Sequence, residues 1–431
     1  MAISIPGKLL KNPFLLFSPF LFLYVVFVFI YPTTAQFGDE SRYIAYAKYL
    51  MSDFDLSARQ LNIDFLGNGP GYPIFLIPLV ALKLPLITYT IVNALLYYLS
   101  VVFVFKTLIQ FTSFSRAAVL SVFWGCHFNL LEYMRWIYTE TICAFLISLF
   151  AFLLTSSYLK NSRNNLYLSG FVFGYLALVK PIFGYVLLCF LIGGFILGIR
   201  HLKKPNYRKF IAVVLVAVAT TLPYLVYTYH QTGKVFYWSS FGGNNLYWMS
   251  SPAEKEHGDW FSDPDVPENP DGSNIKGYKK SVLLNHQKDF EEINQYEGLE
   301  RDDAFKKIAL NNIRSHPLKF IENCFANAGR ILFNFPYSYT LQKPNTLFRL
   351  PFNGIITVLL LICIIPTIRN WKRIDFSLRF LLFFALIYLG GSVLGSAETR
   401  MFTIIVPVLL IFIGYIFQKS VRIHLGKWKN I

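Results

Sequence analysis

Two adjacent carboxylates follow the first apolar run of the chain, where a helix is predicted to begin. Asp39 and Glu40 stand in the segment Gln36 to Tyr43, and apolar side chains then recur with helical spacing. One carboxylate would be a general base that takes a proton from a nucleophilic hydroxyl while a phosphate leaves its donor, since such a base must lie close to both partners. Alternatively, Asp39 is a helix N-cap and Glu40 a first-turn acid that complements the helix dipole. The residues alone leave both interpretations open.

No cofactor motif accompanies these acids. The sequence contains no HExxH, P-loop or dinucleotide-binding pattern, and His127, His230 and His316 lack metal-ligand spacing. Its five cysteines form no CxxC or other paired spacing, so neither a disulfide framework nor a zinc site is predicted.

The elements that must position the acids are predicted to be membrane helices. Apolar residue types make up 55% of the 431 residues and the mean hydropathy is +0.45, whereas soluble domains are about 45 to 50% apolar. Apolar runs long enough for spans of roughly 20 residues recur along nearly the whole chain, which excludes a cytosolic enzyme. The net charge of +16 would suggest nucleic acid in a soluble protein. Here the basic residues cluster at the ends of apolar runs, which favours cytoplasmic anchoring and no nucleic-acid partner.

About ten transmembrane helices are predicted, with both termini in the cytoplasm. The spans are approximately 13–31, 87–105, 117–131, 141–158, 166–179, 182–199, 210–229, 351–368, 377–395 and 401–417. Alternation between them places the basic clusters on one side, which the positive-inside rule identifies as cytoplasmic. The apolar stretch Gly71 to Leu84 is short and interrupted by prolines, so we expect a re-entrant or interfacial segment.

Two hydrophilic regions, residues 32–70 and 231–350, are predicted on the extracytoplasmic side. Fourteen of the chain's 24 acidic residues fall between positions 250 and 305, which agrees with that orientation. Residues 318–335 are typical of an amphipathic interfacial helix, and its lipid-facing candidates are Phe320, Ile321, Cys324, Phe325 and Ile331. The predicted division is an N-terminal transmembrane catalytic module (1–230), a loop subdomain (231–350) and C-terminal transmembrane helices (351–431).

Several short motifs follow one another along the chain, and all of them are predicted to lie on the same side of the membrane. They are Gly38-Asp39-Glu40-x-x-Tyr43, Gly69-Pro70-Gly71-Tyr72-Pro73, Arg135 with Thr139-Glu140, Gly174-x-x-Ala177-Leu178-x-Lys180-Pro181, His316-Pro317, and Glu398-Thr399-Arg400 with Pro407. With these motifs the chain resembles the C-type (GT-C) membrane glycosyltransferase superfamily. The branch it resembles most is that of the protein O-mannosyltransferases and aminoarabinose transferases.

The resemblance implies a membrane enzyme that takes a sugar from a polyprenyl phosphate and transfers it to an acceptor hydroxyl on the extracytoplasmic face. Transfer in that superfamily usually inverts the anomeric centre. Asp39 corresponds to the expected base, and Glu40 would be its helper. Some members bind a divalent cation at such acids, but the residues of this chain give no support for a metal ligand set.

The resemblance also implies substrate-binding residues, several of which have structural alternatives. The expected contacts to donor or acceptor are Arg42, Tyr43, Tyr72, Arg135, Glu140, Lys180, Glu398 and Arg400. Of these, Arg135, Lys180 and Arg400 are expected to grip the lipid phosphate. Alternatively, Lys180 snorkels to the interface, Arg135 pairs with Glu132, and Arg400 pairs with Glu398.

Two other functional classes stay open from the sequence. A transporter or flippase of lipid-linked sugars would also need many spans and charged residues, and a membrane scaffold would use the acidic loop to bind a partner. The sequence identifies neither the sugar nor the acceptor, which is a lipid, a polysaccharide or a protein. Four aromatic side chains of the loop subdomain are candidates for stacking on a sugar: Tyr237, Trp238, Tyr247 and Trp248. The absence of Asn-x-Ser/Thr is compatible with a bacterial inner membrane.

Overall fold

The computed structural model describes residues 12–33, 38–52, 66–201, 203–261, 276–340 and 346–419. Parts of the predicted outer loop 32–70, namely 34–37 and 53–65, therefore lie outside the described residues. Within the described ranges the chain is α-helical without β-strands. The helices are α1 (Pro13–Leu16), α2 (Ser18–Ile30), α3 (Asp39–Ser52), α4 (Gly71–Ala81), α5 (Leu86–Leu108), α6 (Phe114–Gly125), α7 (Phe128–Met134), α8 (Thr139–Leu159), α9 (Arg163–Val179), α10 (Ile182–His201), α11 (Pro205–Thr232), α12 (Gly242–Met249), α13 (Lys276–Ile293), α14 (Gly298–Ser315), α15 (Pro317–Phe333), α16 (Thr346–Asn370), α17 (Phe376–Leu394) and α18 (Thr399–Lys419).

Six described helices are long and apolar enough to cross a bilayer, namely α5, α8, α11, α16 with the 3-10 turn that follows it, α17 and α18. They contain 19 to 28 residues, against the roughly 20 that a span requires. The prediction of an all-α integral membrane protein is therefore confirmed. Helices α8 and α18 pack against each other and bury the largest share of their residues among the six. They form the centre of the bundle.

The four other predicted spans are also helical, and the first and the third of the ten are interrupted. The first corresponds to α1 and α2, which are separated at Phe17, and the fifth and sixth correspond to α9 and α10. The prediction of one continuous span over 117–131 is wrong, because the chain leaves helical conformation at Cys126 and His127 between α6 and α7. Helix α4 has 11 residues, which is too short for an ordinary span, as its prolines suggested.

Arg116 and Lys209, from two of the basic clusters that were predicted to share one side of the membrane, lie at one end of the bundle. There the Arg116 guanidinium donates to Gln418 Oε1 at 2.6 Å and joins α6 to α18, while Lys209 Nζ donates to the Ser157 carbonyl at 3.2 Å and joins α11 to α8. At the other end α8, α10 and α18 begin and α9 and α17 end. That this other end faces away from the cytoplasm stays a prediction from the positive-inside rule.

The segment between α11 and α16 contains a second hydrophobic core, where α12 and α13 pack against α14. This outer subdomain buries the aromatic side chains that α12 carries. Tyr247 and Trp248 are 0% and 1% exposed, and Trp238, which precedes α12, is 0% exposed in the core of the helix bundle. The prediction that these three side chains stack on a sugar is therefore wrong. Their rings are needed to fill the interior, since large aromatic side chains contribute most of the apolar area in a small core.

Helix α15 is amphipathic, as predicted, with its polar face turned inward. Phe325 is 75% exposed on the outer face, where Ile321 is also exposed, whereas Asn323 and Asn327 are fully buried. The prediction that Ile331 faces lipid is wrong, because it lies one helical turn after Asn327 and is 2% exposed.

Candidate active site

A cavity of about 740 Å³ lies at the end of the bundle where α8, α10 and α18 begin. Its wall combines the start of α3, the junction between α9 and α10, the connection between α17 and α18, and the start of α12. Six of the residues predicted from the sequence line it: Asp39, Arg42, Tyr43, Lys180, Glu398 and Arg400.

Asp39 is held between two arginines at the edge of this cavity. It is the first residue of α3 and follows Gly38, whose φ of +54° favours glycine. One carboxylate oxygen accepts from Arg42 one turn later in α3, and the other accepts from Arg400 Nη1 at 3.4 Å. Burial by itself would raise the pKa of Asp39, but Arg400 and Arg42 lower it below its ordinary value. The carboxylate is therefore ionised at neutral pH.

Arg400 joins the acids of the cavity to one another. It lies in the first turn of α18, and its guanidinium is 3.6 Å from the Glu398 carboxylate and 4.0 Å from that of Glu140. With the contact to Asp39, three carboxylates surround this one cation. A planar guanidinium with five donors suits such a position better than a lysine ammonium does.

Lys180 and Glu140 form a buried ion pair beside Arg400. Lys180 Nζ donates to Glu140 Oε1 at 2.8 Å, and Glu140 is 1% exposed. The second oxygen of Glu140 has no hydrogen-bond partner among the described residues. Lys180 ends α9 in an extended conformation, because the following Pro181 disfavours the helical one. The end of the helix at Lys180 therefore places its ammonium at the cavity and beside the Glu140 carboxylate.

The glycines of the segment 67–71 permit its close contact with the end of α9. A Cβ on Gly69 would lie 2.0 Å from the Leu178 carbonyl oxygen, and one on Gly71 would lie 2.7 Å from the Leu178 carbonyl carbon. Only glycine fits such an approach. The Gly69-Pro70-Gly71 motif therefore has a packing role next to Lys180.

Tyr43 and Tyr72 differ in their access to the cavity. Tyr43 contributes to the wall, and its ring packs edge-on against Tyr72 with the centroids 5.0 Å apart. Tyr72 is 1% exposed and does not belong to the cavity wall. Its ring therefore packs behind Tyr43, outside the cavity.

Glu40 and Arg135 lie outside the cavity. Glu40 is 1% exposed, and its Oε1 accepts from the Ile137 backbone N–H at 2.7 Å, which fastens the connection between α7 and α8. The Arg135 guanidinium stacks on Trp136, 5.0 Å from the ring centroid. Glu132, the alternative partner of Arg135, instead accepts from Arg349 at 2.7 Å. Like Tyr72, these two predicted site residues are therefore separate from the six that line the cavity.

Asn327 of α15 fastens the cavity wall that carries Glu398 and Arg400. Its side-chain N–H groups donate to the carbonyls of Ser392, Val393 and Gly395 at 3.1, 3.0 and 2.6 Å, and its Oδ1 accepts from the Ala397 N–H at 3.1 Å. This side chain satisfies the carbonyls at the end of α17, which would otherwise lack partners. Sequence reasoning missed it because it assigned the residues of α15 only by their contact with lipid.

The cavity also contains side chains that no sequence motif indicated. Phe241 and Asn245 come from α12 and the residue before it, Tyr185 from α10, and Trp260 from the connection after α12. Their positions depend on how the outer subdomain folds over the bundle. Apart from the aromatic content of this region, nothing in the sequence therefore indicated that these side chains line the cavity.

The described residues provide no metal site. No three His, Cys, Asp or Glu side chains in the described ranges lie close enough to hold an ion. Asp39 and Glu140 are each bonded to a cationic side chain, so a metal at either acid would have to displace Arg400 or Lys180. The donor set does not fit a divalent cation in this arrangement.

Neither a protein-family model nor a curated protein matches the chain. Among solved structures, the chain is similar to the crystal structure of ArnT from Cupriavidus metallidurans bound to undecaprenyl phosphate, at 11% sequence identity and a TM-score of 0.42. The similarity covers 93% of this chain and 77% of the ArnT chain. The function is therefore inferred from the chain's own residues.

Proposed function

We propose that the chain is a membrane glycosyltransferase that moves a sugar from a polyprenyl-phosphate donor to an acceptor hydroxyl, with inversion and with Asp39 as the general base. The observation that carries the proposal is the position of the Asp39 carboxylate between Arg42 and Arg400, in a cavity that Lys180 also lines. A base and a set of cations side by side are the two requirements of a displacement in which a phosphate leaves.

The cations provide the phosphate site. Each of these cations is paired with a carboxylate, so the charges of Arg42, Lys180 and Arg400 are balanced by those of Asp39, Glu140 and Glu398. A phosphate that enters can take over the donor hydrogens of Arg400 and Lys180, since guanidinium groups bind phosphate oxygens in pairs. Glu140 then keeps Lys180 in place from below.

Asp39 supplies the base in the transfer step. The acceptor hydroxyl gives its proton to the Asp39 carboxylate while its oxygen attacks the anomeric carbon. The bond from that carbon to the phosphate oxygen breaks, and the leaving polyprenyl phosphate takes the electron pair. Attack opposite the leaving group inverts the anomeric centre. A phosphate that engages the arginines also removes donors from Asp39 and brings a like charge close, which raises its basicity.

The placement of the charges favours a transferase over a lipid-sugar flippase. The cavity lies at the end of the bundle where α8, α10 and α18 begin, whereas substrate sites of secondary transporters lie near the bilayer midplane. A flippase would move labelled sugar-lipid across the membrane without a new glycosidic bond, so the product of the reaction distinguishes the two.

The test is a comparison of cell-envelope glycans and glycolipids by mass spectrometry. Cells with the wild-type gene should contain a glycosylated product that cells without it lack. Asp39→Asn should fail to restore this product, whereas the matched control Asp303→Asn, at an exposed surface pair with Lys234, should restore it. Restoration by Asp39→Asn to the wild-type level would refute the assignment of the base.

A further inference from the structure

We infer that the part of the cavity formed by Phe241, Asn245 and Trp260 is an acceptor subsite for a saccharide, a conclusion that rests on the proposed function. The charged residues of the cavity account for the phosphate and the base and leave these three side chains without a role. They form a wall contributed by the outer subdomain. The acceptor hydroxyl would then belong to a sugar ring.

Trp260 is held in an exposed position by its neighbours. It is 46% exposed and is the most exposed of the six tryptophans in the described ranges. Asp259 accepts from the Ser338 backbone N–H at 3.1 Å, and Phe261 packs edge-on against Trp248 with the centroids 5.2 Å apart. The chain is thus anchored on both sides of Trp260 while the indole lines the cavity. An anchored, exposed indole in a concave site indicates a ligand with an apolar face.

Phe241 connects this wall to the catalytic residues. Its ring lies against Gly67, where a Cβ would come within 2.2 Å of the ring carbon Cε2. The Arg42 guanidinium stacks on the same ring, 5.2 Å from its centroid. Because Arg42 also bonds to Asp39, a ring placed beside Phe241 lies next to the proposed base.

Asn245 supplies an uncharged hydrogen-bonding group at the wall. Its Oδ1 is buried and has no hydrogen-bond partner among the described residues. A Cβ on Gly395 would lie 3.0 Å from this oxygen, so the amide reaches the connection between α17 and α18. An unpaired carbonyl oxygen can accept from a ligand hydroxyl and would otherwise cost free energy.

Aromatic faces combined with an uncharged acceptor match a sugar ring better than a lipid or a peptide. A sugar ring has an apolar face of C–H groups and a rim of hydroxyls, whereas an acyl chain needs a purely apolar wall. One common mode of peptide binding adds an extended peptide to a sheet edge, and the described residues contain no strand. The volume of about 740 Å³ is in the range of sites that enclose ligands larger than one ring.

The test uses purified protein in proteoliposomes, labelled polyprenyl-phosphate hexose and pentose as donors, and three acceptor classes. The acceptors are p-nitrophenyl glycosides, a Ser/Thr peptide and diacylglycerol in the vesicles. Label should move to a glycoside, and Trp260→Ala and Asn245→Ala should each raise the KM for it about tenfold. Release of polyprenyl phosphate to water without acceptor should stay within about twofold of wild type, and Trp260→Phe should recover part of the affinity.

The outcomes separate this inference from the proposed function. The control Trp371→Phe, at the opposite end of the bundle beside Phe383, should match wild type in both assays. Transfer to the peptide or to diacylglycerol alone, or a glycoside KM that Trp260→Ala does not change, would overturn the saccharide subsite and leave the transferase intact. Failure to cleave any donor would overturn both.

Discussion

The Lys180 ammonium lies 2.8 Å from the Glu140 carboxylate, and the Glu140 side chain is 1% exposed. This pair connects two helices of the bundle, since Glu140 lies in the first turn of α8 and Lys180 directly follows α9. It also brings a cation to the cavity in a membrane protein, where an unpaired buried charge is costly. The pair therefore has both a structural and a functional role, which substitutions can separate.

Removal of one partner should destabilise the fold, and removal of both should not. Lys180→Met and Glu140→Leu each leave a charged group without its partner, at a cost of about 3 to 5 kcal/mol. The double variant should recover most of the thermal stability in detergent, but its transfer activity should stay low because the phosphate loses a cation. Full recovery of transfer in the double variant would show that Lys180 acts only in stability.

Glu40 should contribute less to transfer than its neighbour Asp39. Because the Glu40 carboxylate accepts from the Ile137 N–H, the amide oxygen of Glu40→Gln can replace it, and transfer should stay within about tenfold of wild type. Rates of polyprenyl phosphate release from matched amounts of folded protein give the comparison with Asp39→Asn. A larger loss for Glu40→Gln than for Asp39→Asn would reassign the base.

Gly69→Ala should disturb the segment that packs against the end of α9. The new methyl group would lie 2.0 Å from the Leu178 carbonyl oxygen, and overpacking of this kind costs about 1 to 3 kcal/mol. We expect a lower melting temperature and reduced transfer. Gly354→Ala is the control, because its Cβ would have no atom within 4 Å. Equal melting temperatures for the two variants would contradict the close approach.

The outer subdomain should lose stability as the pH rises from 5 to 7. Burial raises the pKa of Asp302 to about 6, although its carboxylate accepts from the N–H groups of Gly243 and Asn244. The folded state then binds a proton more tightly than the unfolded state, so stability falls as the pH rises towards 6, by about 1 kcal/mol between pH 5 and 7.

Asp302→Asn should flatten this part of the pH dependence. Melting temperatures at pH 5 and 7 give the slope, and the difference between wild type and Asp302→Asn isolates the contribution of this carboxyl from that of every other group. Glu292→Gln, at an exposed pair with Lys307, should keep the wild-type slope. A wild-type slope in Asp302→Asn would refute the assignment to Asp302.

Much of the fold follows from patterns within the sequence. The apolar run of α8 and the short, proline-rich α4 are governed by local composition, so the sequence predicts them. The break at His127 could not be predicted in this way, because it lies inside an apolar run that is long enough for one continuous helix. The inward position of Ile331 also has a local cause, since it shares a helical face with Asn327 and Asn323.

The candidate site was less accessible to sequence reasoning. Motif order indicated Asp39, Lys180 and Arg400, which the fold brings to one cavity. The motifs did not show which of Asp39 and Glu40 lies in the site. Successive residues of a helix point about 100° apart, and of these two only Asp39 lines the cavity. Trp260 comes from a subdomain whose packing depends on contacts between distant helices. No local pattern encodes such contacts.

The most direct test of the central claim measures sugar transfer by purified protein in proteoliposomes supplied with polyprenyl-phosphate sugars. Wild type and Asp303→Asn should release polyprenyl phosphate in step with formation of an inverted glycosidic product. Asp39→Asn should be slower by at least about 100-fold, the usual contribution of a general base, with its melting temperature unchanged within a few degrees. A wild-type rate for Asp39→Asn, or sugar-lipid movement across the bilayer without any glycosidic product, would contradict the account.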